Sequence, residues 1–337
     1  MKTDDFDYDL PEPAIAQSAI EPRDGSRLLR VADMTDHVFA DLARLLEPGD
    51  LLVVNRTRVR HARLVGTRAE TGGAVELLLL RPRGDVWEAL VRPARRMRPG
   101  VKLDFGSIEA TVVTDPIEGR IDVLLESTDS IEVAVEREGA VPLPPYFHGA
   151  LSDPARYQTM FASVTGSAAA PTAALHFTPR LLADLEAAGV AVAEVELEVG
   201  LDTFRPMGDG LLADHRMHSE TFTVPAATVA AVAEARRGGG RVIAVGTTVV
   251  RSLETAAAEG DLRATSGEST LFIQPGYRPR VVDALITNFH APRTTLIVLV
   301  AALLGDRWRE VYRTALARGY RFLSFGDAML IENVRHR

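Results

Sequence analysis

The stretch 166–178 reads Gly-Ser-Ala-Ala-Ala-Pro-Thr-Ala-Ala-Leu-His-Phe-Thr and sets the hydroxyls of Ser167, Thr172 and Thr178 and the imidazole of His176 among small residues. Small residues let a backbone approach a ligand closely. Pro179 and the apolar positions Leu181, Leu182, Leu185 and Ala188 follow, so the spacing predicts a helix capped by Thr178 and stopped at Gly189. The free N–H groups of such a helix start suit negative or polar ligand groups, although a tightly packed inert turn fits the same residues. Further polar groups gather at Gly200 to Pro206, at His215 to Glu220, at Gly246-Thr247-Thr248 before a helix carrying Arg251 and Glu254, at Asp283, and at Thr287-Asn288-Phe289-His290. His215 and His218 with Glu220 or His290 are zinc-type ligands, but His-x-x-His without helical context is weak, and no metal is expected. Gly-x-Ser-x-Gly, Gly-x-Gly-x-x-Gly and P-loop patterns are absent, so a nucleotide would have to bind by other means.

Those groups need a scaffold, and 337 residues suffice for two domains with separate cores. With no cysteine, disulfides, thiolate metal sites and cysteine nucleophiles are excluded. Residues 1–13 are acidic and proline-bearing and resemble no signal peptide, and the longest apolar run, 296–304, is too short to span a bilayer. A cytoplasmic protein with no membrane partner is expected. The formal charge is −8, yet residues 56–102 hold twelve basic against four acidic side chains. That reads either as a phosphate-contacting face or as arginines solvating outer strand faces.

Residues 6–10 read as extended and 37–46 as a short amphipathic helix closed by Pro48-Gly49. Strand patterns follow at 51–55, 59–67, 74–80, 86–91, 101–105, 108–113 and 121–125, punctuated by glycine turns, which predicts a small antiparallel barrel. After a helix at 131–137 and a stiff connector at 142–146, strands at 190–199, 241–245, 271–273 and 281–286 alternate with helices at 226–236, 249–258, from 295, and 307–318. The expected fold is α/β with a mostly parallel sheet: residues 1–55 and 140–337 form the α/β catalytic domain, and 56–139 an inserted β-barrel domain. The polar constellations then fall at strand ends, where open α/β sheets place ligands.

Nearly end to end, the chain resembles the S-adenosylmethionine:tRNA ribosyltransferase-isomerase family of queuosine biosynthesis. The resemblance is carried by Ile15-Ala16-Gln17, Arg23-Asp24, Ser26-Arg27-Leu28-Leu29, Pro142-Leu143-Pro144-Pro145-Tyr146, Tyr157-Gln158-Thr159 and 166–178. It continues through Thr203-Phe204-Arg205-Pro206, Met217-His218-Ser219-Glu220, Ala244-Val245-Gly246-Thr247-Thr248, Pro275-Gly276-Tyr277, 285–290 and 325–331. It implies a barrel inserted into an α/β domain and S-adenosylmethionine as a ribosyl donor. The aminomethyl nitrogen of a 7-deazaguanine in the tRNA anticodon loop attacks the ribose carbon next to the sulfonium, the ring opens and closes to an epoxide, and adenine and methionine leave. Such chemistry needs proton acceptors for the ammonium and the C–H beside the sulfonium, and an acid for adenine. The implied candidates are His176, His218, His290 and Glu220. The implied substrate-binding set is Ser167, Thr172, Thr178, Arg205, Gly246, Thr247, Thr248, Arg251, Tyr277 and Asn288, with Arg205 and Arg251 suited to the methionine carboxylate.

Departures from the family pattern are Arg56 for Asp, Ala174 for Gly, Glu198 for His, Asp202 for Gly, Val249 for Ser, Glu268 for Trp and Thr270 for Asp. Their placement near presumed ligand loops keeps two alternatives open: a paralogue acting on a small-molecule acceptor such as a free deazapurine, or a non-catalytic binder of tRNA or S-adenosylmethionine.

Overall fold

Three strands buried at every position, Leu51–Asn55, Val242–Val245 and Ala284–Asn288, lie side by side and parallel, with Ala191–Leu197 parallel to the first of them. Continuous apolar runs of this kind are what strands covered on both faces require. The sheet continues antiparallel from Ala191–Leu197 through Glu220–Val224 to Thr265–Ser269. On the other side Ala328–Ile331 pairs antiparallel with Ala284–Asn288, then Arg27–Arg30 and Thr35–Val38 complete nine strands. The α/β reading holds, with the parallel pairing concentrated at the centre and antiparallel strands added at the edges. Helices Ala226–Arg237 and Thr247–Ala256 pack on this sheet, and the helix Thr295–Leu304 is buried at nine of its ten positions.

The structure is a computed structural model that describes residues 1–148, 151, 153–200, 203 and 205–336, so Asp202 lies outside the described residues. Contacts divide the chain into two compact units. One comprises Met1–Arg58, Pro144–Thr165 and Ala170–Arg337, and the other Val59–Leu143 with Gly166–Ala169. The second unit holds a closed antiparallel barrel of six strands, in order Arg120–Ser127, Val86–Arg92, Ala74–Arg83, Arg63–Arg68, Lys102–Asp104 and Ile108–Val112. Leu64, Leu77, Leu79, Ala89, Val123 and Ile108 fill it. At Gly66 a Cβ would stand 2.0 Å from the Asp104 carbonyl oxygen, so the closing strands tolerate only glycine there. Among the described residues no helix is long and apolar enough to cross a membrane.

Several sequence expectations shift. The helix expected at 37–46 is one turn, Leu42–Leu45, because Thr35–Val38 is drawn into an edge pairing with Arg27–Arg30. The strand expected at 59–67 is broken, its second half being Arg63–Arg68. Instead of 271–273, the residues Thr265–Ser269 form the strand, paired with Glu220–Val224. The strand expected at 281–286 begins at Ala284, because the amides of Val281 and Val282 donate to the Glu254 carboxylate, each at 3.0 Å.

Candidate active site

The C-terminal ends of the central strands converge on a partly open cleft, the place where open α/β sheets bind ligands. Val242–Val245 delivers Gly246, Thr247 and Thr248, and Ala284–Asn288 delivers Thr287, Asn288 and His290 to its wall. Thr172, from the 3-10 turn Thr172–His176, lines the same cleft. Gly246 caps the helix Thr247–Ala256 with φ +94° and ψ 154°, a backbone region close to glycine-only. Its amide donates to the Ile286 carbonyl at 2.8 Å, which ties the helix start to the neighbouring strand. The buried Thr248 hydroxyl has no hydrogen-bond partner among the described residues, although it sits at the cleft and at a helix N-terminus. An unpaired polar atom costs folding free energy, about 1–3 kcal/mol, and a ligand group accepting or donating there would recover it.

Asn288 organises the floor. Its Oδ1 accepts from the Thr172 hydroxyl at 2.9 Å, and its Nδ2 faces the Asp327 carbonyl at 3.4 Å and His176 Nε2 at 3.2 Å. Because the amide nitrogen can only donate, His176 Nε2 accepts, and His176 Nδ1 carries the hydrogen donated to Ser26 Oγ at 2.7 Å. Burial, helped by the positive Arg321, lowers the His176 pKa to about 3, and burial alone takes His290 to about 3. Both imidazoles are therefore neutral at physiological pH, although an unperturbed imidazole titrates near neutrality. His290 Nε2 hydrogen-bonds the Thr287 hydroxyl at 2.9 Å, and its backbone amide donates to the Tyr312 hydroxyl at 3.1 Å. Phe289 packs between the rings of Tyr312, Tyr320 and Phe322, fixing the strand end that carries Asn288 and His290.

A smaller adjoining pocket of about 320 Å³ shares Thr203, Thr247 and Thr248 with the cleft and is also lined by Glu220 and Arg251. Glu220 is 4 % exposed and fully engaged: Oε1 accepts from the Gly200 amide and the Thr203 hydroxyl, each at 2.9 Å, and Oε2 pairs with Arg251. His218 Nε2 stands 3.4 Å from Glu220 Oε1 and 3.2 Å from the Thr203 hydroxyl. Arg251 also donates to the carbonyls of Leu271 at 3.2 Å and Ser269 at 3.1 Å. Burial lowers its pKa to about 10, so it stays protonated at neutral pH, with its donors directed into the protein.

Of the sequence candidates, the structure brings together Thr172, Gly246, Thr247, Thr248, Asn288 and His290 on the cleft wall, with His176, His218, Glu220 and Arg251 immediately behind or beside it. Others lie elsewhere. Thr178 caps the helix Pro179–Ala187, accepting from the Leu181 amide at 3.2 Å, and donates to Asp24 at 2.8 Å. Tyr277 donates to Glu254 at 2.9 Å, Arg205 is exposed, and Ser167 is buried in the barrel unit, where its carbonyl accepts from the Arg60 amide at 2.9 Å. Thr203 and Thr287, which belong to the polar constellations that the sequence puts at strand ends though not to its candidate site residues, line the cleft; Ser26, Tyr146 and Ser324 were passed over. Among the described residues no group of three potential ligands is placed to hold a metal.

Among the described residues, the departures from the family pattern are not part of the cleft lining. Arg56 is compensated by Glu196, to which its Nε donates at 2.9 Å, and by Glu194 at 3.3 Å, which raises the Arg56 pKa. Val249 is fully buried, Thr270 is exposed, and Glu268 accepts from Ser219 at 2.7 Å.

The profile of a family described as queuosine biosynthesis protein matches residues 3–331. The chain is 51% identical over 341 residues to the S-adenosylmethionine:tRNA ribosyltransferase-isomerase of Moorella thermoacetica, covering 98% of this chain and 100% of that one. To the protein of the same name from Rubrobacter xylanophilus it is 51% identical over 337 residues, with 98% of each covered. The crystal structure of an S-adenosylmethionine tRNA ribosyltransferase from Thermotoga maritima is 37% identical, covers 97% of this chain and 99% of that one, and superposes with a TM-score of 0.56.

Proposed function

The chain belongs to the queuosine biosynthesis family of S-adenosylmethionine:tRNA ribosyltransferase-isomerases, and from that premise we propose how its cleft works on S-adenosylmethionine and on the 7-aminomethyl-7-deazaguanine of a tRNA anticodon loop. The enzyme transfers and isomerises the ribosyl moiety to give epoxyqueuosine, releasing adenine and methionine. The observation that carries the reading is the cleft at the strand ends with the unpaired Thr248 hydroxyl at a helix N-terminus. A nucleoside supplies hydroxyls and ring nitrogens for such a wall of neutral hydrogen-bonding groups.

In this reading Thr247, Thr248, Thr287 and Asn288 orient the ribosyl and adenine groups, and the helix start at Thr247 favours a negative or polar group of the donor. His290 and Tyr146 are the titratable side chains on the wall, and burial pushes the Tyr146 hydroxyl pKa up. His290, neutral before substrate enters, is the group placed to take the proton from the carbon beside the sulfonium. The proton passes from that carbon to the His290 imidazole and the C–H electron pair stays on the carbon, where the adjoining sulfonium stabilises it; because the same charge disfavours an imidazolium, the acidity of the C–H, not the basicity of His290, drives that step. His176 acts through Asn288 as a positioning residue. Glu220 and Arg251 brace the wall through Thr203 and Gly200. The reaction runs in the cytoplasm with tRNA as acceptor and requires no metal in its steps.

Adenine release from S-adenosylmethionine, measured with unmodified tRNA, with tRNA carrying the aminomethyl-deazaguanine and with the free base, tests the reading. Release with the modified tRNA alone is expected. Equal release with the free base would transfer the assignment to a small-molecule acceptor.

A further inference from the structure

Behind His176 lies a third, partly open pocket in the same unit, lined by Arg23, Arg156 and Arg321 together with Ser26, His176 and Ser324. No carboxylate lines it. Carboxylates stand outside it: Glu21, itself exposed, is 2.8 Å from Arg156, Asp327 is 3.8 Å from Arg321, and the charge of Asp153 reaches Arg23. Asp327 is already occupied by the backbone amides of Arg27 at 3.0 Å and Arg321 at 2.8 Å.

Carbonyls hold all three guanidinium groups, beside the Glu21 ion pair of Arg156 and the longer Asp327 contact of Arg321. Arg23 donates to Gln158 at 2.7 Å and Ala155 at 3.0 Å, Arg156 to Ile20 at 2.9 Å, and Arg321 to Ser18 at 3.1 Å and Phe325 at 3.2 Å. Each has five N–H donors, so donors remain on all three. Burial, and then the like charge of Arg156, lower the Arg23 pKa, against the opposing charges of Glu21 and Asp153.

Ser26 adds a neutral donor. Because His176 Nδ1 carries the hydrogen in the Ser26–His176 bond, the Ser26 hydroxyl hydrogen is left to point elsewhere. The polar groups around the pocket thus converge as donors, and the same His176 reaches Asn288 on the floor of the main cleft.

We propose that this pocket is an oxyanion subsite of the active site, in which Arg23, Arg156, Arg321 and Ser26 hold an anionic oxygen group of a substrate. Resting on the ribosyl-transfer reading, the anion is either a phosphodiester of the RNA acceptor or the α-carboxylate of the methionyl part of the donor. Arginine forks match both geometries. The Ser26–His176–Asn288 chain links occupancy of this subsite to the residue that orients the ribosyl group.

The first arm of the test needs no turnover. Thermal melting is followed against added sulfate at constant ionic strength in the unaltered protein and in Arg156→Gln, Arg321→Gln and the milder Ser26→Ala. Sulfate is expected to raise Tm in the unaltered protein, with the shift lost in the arginine variants and its midpoint moved about tenfold in Ser26→Ala. The second arm compares KM values. A phosphodiester in the subsite raises the KM for modified tRNA in Arg156→Gln and Arg321→Gln and lowers the slope of log KM against log salt by about 0.7–0.9. A carboxylate instead raises the KM for S-adenosylmethionine about tenfold or more, and the methyl ester of the donor no longer distinguishes variant from parent. Unchanged sulfate response and unchanged KM values in folded variants would overturn the proposal. Absence of turnover in the unaltered protein would count against the ribosyl-transfer reading alone, because the sulfate arm still decides whether the subsite exists.

Discussion

Replacing Glu220 by glutamine removes one charge from a pair in which both residues are 4 % exposed. The amide keeps an oxygen for the Gly200 amide and the Thr203 hydroxyl, but its NH2 faces the Arg251 guanidinium donor against donor. Leaving a buried charge without its partner costs about 3–5 kcal/mol. At about 2.1 cal/mol/K of unfolding entropy per residue, a kilocalorie lowers Tm by roughly 1–2 °C in a chain of this length, so Glu220→Gln is expected to melt about 4–7 °C lower, with a matching fall in the urea midpoint. Arg251→Met carries the converse penalty, leaving Glu220 buried with its hydrogen bonds but no counter-charge. The double variant should then be more stable than the sum of the single losses predicts, with a coupling of about 1–3 kcal/mol. Urea denaturation of the four proteins measures that coupling directly. Additive losses, or a Glu220→Gln loss below about 1 kcal/mol, would refute the bracing role and return Glu220 to the candidates for direct proton transfer.

Three further outcomes follow. The His176 and His290 pKa values near 3 lie below the unfolded value of about 6.5, so the unfolded chain binds the extra protons and stability falls as pH drops from about 6.5 toward 3. The two groups together contribute a slope of up to about 2.7 kcal/mol per pH unit, and His290→Gln should halve the histidine part of it in Tm measured against pH; an unchanged slope would show that His290 is not buried neutral. Gly246→Ala forces a non-glycine residue into φ +94° at about 1–3 kcal/mol, lowering Tm by several degrees and raising the KM for S-adenosylmethionine; unaltered melting would contradict the strained cap. On the barrel, Arg95, Arg96 and Arg98 are exposed near the turn Ala94–Arg96, whereas Arg63 pairs with Glu76 and Arg81, Arg83 and Arg120 gather on Glu88. Replacing the exposed three by glutamine should raise the KM for tRNA and flatten its salt dependence by about 0.7–0.9 per phosphate lost, while the KM for S-adenosylmethionine stays put; equal KM values for tRNA would remove the barrel tip as a phosphate contact.

The alternation of strands and helices after residue 190 and the turn-rich barrel segment were legible because local patterns matched their final environments: continuous apolar runs became central strands, and glycine turns became barrel corners. Edge strands were not, because Thr35–Val38 and Thr265–Ser269 contain polar residues whose pairing is decided by neighbours elsewhere in the sheet. The cleft threonines and Asn288 could be found because they follow buried strands directly. His176 and His290 were found for a reason that burial cancels, since residue type announces an imidazole but not its surroundings. Thr178 and Tyr277 carry polar groups that serve the scaffold, and no local pattern separates a hydroxyl that caps a helix or holds a carboxylate from one that meets a ligand.

Glu254 shows how far from the cleft its shape is set. Its carboxylate accepts from the amides of Arg280, Val281 and Val282 and from the Tyr277 hydroxyl, all between 2.8 and 3.0 Å. The helix that bears it, Thr247–Ala256, begins at the cleft, and the strand those amides lead into, Ala284–Asn288, ends there. Helix and strand are therefore pinned together at their remote ends, about 10 Å from Thr247 along the helix axis. They form the two arms of a pair of tongs whose rivet is a single carboxylate, so the gap between Thr248 and Asn288 is governed by a residue that no substrate touches.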